Sequence, residues 1–75
     1  MFRYLNVKEE LCSDEFGNYT SFGICVLKKT SNKWVEEKFI SDISADCSVV
    51  DNICKVAFSN QFKPQKLLEI IEDFI

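Results

Sequence analysis

The chain contains no histidine, two glycines, one proline and one methionine among 75 residues. Without an imidazole it has no side chain whose ordinary pKa suits proton transfer near neutral pH, which weighs against an enzyme. The four cysteines, Cys12, Cys25, Cys47 and Cys54, form no Cys-x-x-Cys pair. Cys47 and Cys54 would sit two helical turns apart, about 10 Å of rise, whereas Zn–S bonds are about 2.3 Å. No metal or cofactor is therefore expected, and the thiols read as small hydrophobes. Cys47, near a helix start, is the candidate for a reactive thiol, but Asp46 beside it opposes thiolate formation. No apolar run approaches the roughly 18 residues of a membrane span. The start of the chain lacks the basic-then-apolar order of a signal peptide, so a cytoplasmic protein is expected. Nine basic against twelve acidic residues leave a net charge of −3. No basic stripe offers itself to nucleic acid; Lys28, Lys29 and Lys33 read as a solvated turn.

What is present is enough to fold. The chain is 47% hydrophobic and 13% aromatic, outside the range of disordered segments. Its length suits a single α+β domain over residues 1–75 with a thin core. Tyr19–Lys28 is rich in β-branched and aromatic residues and is bounded by turn chemistry, Gly17-Asn18 before it and Thr30-Ser31-Asn32 after it. It reads as the middle strand of a three-stranded antiparallel meander, with strands at about 2–12, 18–28 and 33–42.

Alternation sets the expected faces. Leu5, Val7 and Leu11 are the buried parity of the first strand, and Thr20, Phe22, Ile24 and Val26 that of the second. Joining the two apolar sets puts Val7 opposite Ile24 across a four-residue loop, Asp14–Gly17. In the third strand Glu36-Glu37-Lys38 interrupts the pattern. One register buries Val35 and Phe39, the other Trp34 and Ile40; the first is preferred because it continues into Ile43. A helix over about 46–60, capped by Ser44 or Asp46, and another over about 64–75 that begins at Pro64 each carry an apolar stripe. Both are expected on one face of the sheet.

These residues carry a resemblance. Tyr19-Thr20-Ser21-Phe22-Gly23-Ile24, then Asp42-Ile43-Ser44 with Asp46, then Pro64, Leu67 and Glu72-Asp73-Phe74-Ile75 resemble a family of short uncharacterised proteins of Gram-positive anaerobic bacteria. The likeness spans most of Tyr19–Ile75. Lys66 stands where that family has a histidine, so no imidazole role carries over. The resemblance implies a cytoplasmic bacterial protein and lends no mechanism.

With the helices on one side, the other face of the sheet should present a row of Tyr4, Leu27 and Trp34, with Tyr19 and Ile40 nearby. An uncovered face normally reads polar, and large exposed apolar patches mark association. The sequence thus points to a protein partner, a second copy of the chain first among them, bound through that row. The alternative is an acidic inhibitor or nucleic-acid mimic that docks Glu69, Glu72 and Asp73 of the last helix in a basic groove.

Overall fold

The structure, a computed structural model, describes residues 1–74. Three antiparallel strands, β1 (Phe2–Ser13), β2 (Gly17–Thr30) and β3 (Lys33–Ser44), form one sheet in the order β1-β2-β3. Two helices follow, α1 (Cys47–Asn60) and α2 (Pro64–Phe74). The expected α+β meander with two helices is what the chain forms; the expected last turn through Ile75 lies outside the described residues.

The two hairpins are tighter than expected, and that resets the register. Between β1 and β2 the loop is Asp14–Phe16, with Ser13 paired to Gly17. The Ser13 hydroxyl accepts the N–H groups of Glu15 and Phe16, at 3.1 and 3.4 Å. Gly17 closes the loop at φ +69°, where a residue without Cβ is unstrained. Between β2 and β3 the loop is Ser31-Asn32, at φ +46° and +72°. That two-residue build matches strand twist. Pairing therefore joins Val7 to Gly23 and Leu5 to Cys25, one place away from the expected Val7–Ile24 register.

A slip of one residue exchanges the faces of a strand. β1 turns Tyr4 into the core at 8% exposure and leaves Leu5 45% exposed on the far side. The expected buried set Leu5, Val7, Leu11 is thus corrected to Phe2, Tyr4 and Asn6. The inward tyrosine and asparagine are held by the helix layer. The Tyr4 hydroxyl donates to the Phe62 carbonyl. The Asn6 amide donates to Asp51 Oδ1 at 2.7 Å and lies 3.3 Å from the Cys47 carbonyl at the start of α1.

β3 uses both of its possible registers. Leu27 pairs with Glu36 and Val26 with Lys38, so Glu37 is an extra residue that flips the parity. Before the bulge Val35 lies on the helix side, as preferred, but beyond the layer's cover and 42% exposed. After it Phe39 pairs with Cys25 on the open side, at 40% exposure, while Ile40 pairs with Ile24 and packs against the core. A second irregularity opposite Gly23, with Asp42 at φ +55°, returns Ile43 to the core. Phe39 and Ile40 are thus exchanged relative to expectation.

The core lies between sheet and helices: Tyr4, Ile24, Val26 and Ile43 meet Val50, Ile53, Ala57, Leu67 and Ile71. Six of these, Ile24, Val26, Val50, Ile53, Ala57 and Leu67, are fully buried, the five larger ones each stabilising by about 1.5–3 kcal/mol relative to exposure. Asp46 caps α1 by accepting the Ser48 N–H at 2.9 Å and the Ser48 hydroxyl at 2.6 Å. These bonds hold its carboxyl below the usual range. At the other end Gln61 adopts the left-handed conformation, and Phe62 N–H reaches the Ala57 carbonyl at 3.3 Å. The Gln61 side chain accepts the Phe2 N–H at 2.6 Å and donates to the Phe2 carbonyl at 3.1 Å. It pairs with β1 as a neighbouring strand would.

Candidate functional site

The sheet face turned away from the helices is the candidate site. Cα pairing orders it in rows across the strands. One row is Arg3, Leu27 and Glu36; the next is Leu5, Cys25 and Phe39. Val7 and Leu11 continue the apolar line along β1, half-buried. Both faces of this sheet are therefore apolar, and only one carries helices.

The residues expected on this face divide. Leu27 and Trp34 are there, both half-buried, and Tyr19 lies on the same side toward the hairpin tip. Tyr4 and Ile40 are not. Arg3 takes the place foreseen for Tyr4, and Phe39 that foreseen for Ile40. The Arg3 guanidinium lies over the Trp34 ring, 4.3 Å from its centroid. Arg3 is on β1 and Trp34 on β3, so the two side chains meet across β2. Alternation places Leu5 and Phe39 in the core; the shorter first loop shifts β1 by one place, and the extra residue Glu37 exchanges Phe39 with Ile40. The signal in the sequence is the broken alternation at Glu36-Glu37-Lys38.

Polar groups finish the face at its ends. The Cys25 thiol donates to Glu36 Oε1 at 3.4 Å, and burial together with that carboxylate pushes the thiol's pKa up. Cys54, on α1 and packed against the core, is pushed up to about 11 by burial and by Asp51. Neither is poised as a nucleophile. Toward the tip, Glu9 reaches over Gly23 to accept the Ser41 hydroxyl and the Asp42 N–H, both at 2.8 Å. Asp42 in turn accepts the Ser21 hydroxyl at 2.7 Å and the Tyr19 hydroxyl at 2.9 Å. Those bonds lower the Asp42 carboxyl and raise Tyr19. This network satisfies the backbone where β3 kinks.

The acidic strip of α2 has a different character. Glu69, Glu72 and Asp73 are exposed, and Glu69 is bridged by Lys66 at 3.4 Å, one turn earlier. An exposed i,i+3 pair of this kind contributes a few tenths of a kcal/mol. No helix among the described residues is long and apolar enough to cross a membrane.

No curated protein and no solved structure matches the chain. A family model does match it, over residues 1–75, and the chain belongs to that family, the family of unknown function DUF6514.

Proposed function

We propose that this chain is a small non-catalytic protein-interaction module of the bacterial cytoplasm, with the open sheet face as its contact surface. The observation that carries the reading is the second apolar face, with Leu5 at 45% and Phe39 at 40% exposure beside Leu27 and the Arg3–Trp34 stack. A solvated sheet face gains nothing from leucine and phenylalanine, whereas a contact surface does. Tryptophan and arginine are also among the residues most enriched at binding hot spots.

The test begins with recovery of bound proteins from the native cell and identification of the partner. Purified partner is then titrated with the wild-type chain, Leu27→Lys, Trp34→Ala and a Glu69/Glu72/Asp73 charge reversal. The two face variants should weaken binding at least tenfold with folded circular dichroism spectra, and the reversal should leave it unchanged. Loss of binding in the reversal alone would move the contact to the acidic strip and overturn the reading.

A further inference from the structure

Toward the tip of the first hairpin the sheet carries a pocket of about 410 Å³, lined by Ser13, Phe16, Tyr19 and Asp42. Separate features of the fold build its walls. The Ser13 hydroxyl accepts the N–H groups of Glu15 and Phe16 and so fixes the loop that carries the Phe16 ring. That ring is 78% exposed, the most exposed of the large hydrophobic side chains described; it serves no core. The left-handed backbone at Asp42, φ +55°, brings its carboxylate beside β2. The Tyr19 hydroxyl donates to it at 2.9 Å, which holds the phenol ring in the wall. Two aromatic rings and one carboxylate thus line a single concavity.

The carboxylate is only partly used. Oδ1 accepts the Ser21 hydroxyl and Oδ2 the Tyr19 hydroxyl, so each oxygen keeps a lone pair. Those bonds favour the ionised form. No cation answers it: Asp42 has no ion-pair partner among the described residues. Residues 9–27, which make most of this hairpin, include Glu9, Glu10, Asp14 and Glu15 and no lysine or arginine.

We propose that the pocket takes an arginine side chain presented by a protein partner, its guanidinium set against the Asp42 carboxylate and the Phe16 and Tyr19 rings. A guanidinium is planar and weakly hydrated, stacks on aromatic faces, and offers two parallel N–H groups to the two oxygens of one carboxylate. The apolar stem behind it covers the Phe16 ring. A lysine ammonium is a compact, strongly hydrated charge and gains less from the rings. Free arginine would bring a carboxylate of its own to an acidic tip, whereas an arginine within a chain brings none. This site goes beyond the contact face of Leu5, Leu27 and Phe39, because none of those residues lines it.

The experiment titrates the isotopically labelled chain with acetyl-Gly-Arg-Gly-amide at low salt and follows its amide NMR signals. The same peptide with lysine or citrulline in the middle place, and free L-arginine, are the comparisons. One side chain supports a Kd on the order of 1 mM. The arginine peptide should shift the amides of Phe16, Tyr19 and Asp42. Citrulline, neutral and of the same shape, should bind at least tenfold more weakly, and the lysine peptide and free arginine at least threefold. Asp42→Asn should weaken binding at least tenfold. Phe16→Ala, which removes a ring from outside the core, should weaken it at least threefold with the rest of the spectrum unchanged, and it tests the pocket even where Asp42→Asn disturbs the fold.

Absence of shifts at about 20 mM arginine peptide, well above that Kd, would overturn the proposal. So would shifts centred elsewhere, citrulline or lysine peptides that bind as well as arginine, or indifference to Phe16→Ala. Leu27→Lys should bind the arginine peptide as the wild type does, so this site and the contact face stand or fall separately.

Discussion

The Arg3 guanidinium and the Trp34 indole, from opposite edge strands of the sheet, stack across β2 with the guanidinium carbon 4.3 Å from the ring centroid. This contact decides how wet the indole is. An Arg3→Ala variant should keep its fold and lose about 0.5–1 kcal/mol of stability, the worth of an exposed cation–π contact. Its tryptophan emission should shift to longer wavelength as the ring gains water. With a single tryptophan in the chain, the fluorescence has one source. Unchanged emission would mean that the stack does not shield the ring.

Tyr4 gives the converse case, an aromatic that the fold needs. Its hydroxyl donates to the Phe62 carbonyl just past the end of α1, and burial raises its pKa. Tyr4→Phe keeps the ring and strands the carbonyl, at a cost of about 1–3 kcal/mol. Urea unfolding should show a lower midpoint with the slope unchanged. A midpoint equal to that of the wild type would count against the contact.

Gly23 is required for space. A Cβ there would lie 2.5 Å from the Ile40 carbonyl oxygen and 3.3 Å from the Ser41 Cα, both backbone atoms that cannot rotate away. Gly23→Ala should therefore push β3 from β2 at its kink and cost about 1–3 kcal/mol, as overpacking does. Hydrogen exchange should speed up at Ser41 and Asp42 more than at β1. Uniform exchange across the sheet would refute the local clash.

Acid and base should act at different places. Asp42 and Asp46 have lowered pKa values, each through hydrogen bonds it accepts. Their contribution is present above the ordinary carboxylate pKa near 3.9 and is lost as pH falls through the lowered folded value. Tyr4 and Tyr19 have raised values. Their contribution is complete below the ordinary phenol pKa of about 10 and is lost as pH rises through the folded value. Asp46→Asn should flatten the acid limb of a stability profile and leave the alkaline limb in place, whereas Tyr4→Phe should do the reverse.

The elements were legible in the sequence wherever local chemistry acts alone. β2 shows its buried parity, Asp46 announces a cap, and Pro64 begins α2 where its missing N–H costs nothing. The faces of β1 were not legible, because Leu5, Val7 and Leu11 alternate as a buried set would and yet face outward. Tyr4 and Asn6 look like surface residues until the helix ends that receive their polar groups are in place. In β3 the broken alternation at Glu36-Glu37-Lys38 marked an irregularity, but alternation cannot show that Glu37 is extra. That one residue decides between Phe39 and Ile40 for the open face, and so half of the candidate site.

The clamp of Gln61 on the peptide group of Phe2 joins positions 59 apart in sequence. The first strand leaves the ribosome with its outer rim bare, and the group that seals that rim arrives only 59 residues later. Contacts of such separation carry a high loop-closure cost and form late. A nascent chain that stalls before α1 ends would expose an unsealed strand margin as well as an apolar sheet surface, the combination most prone to stick to neighbours.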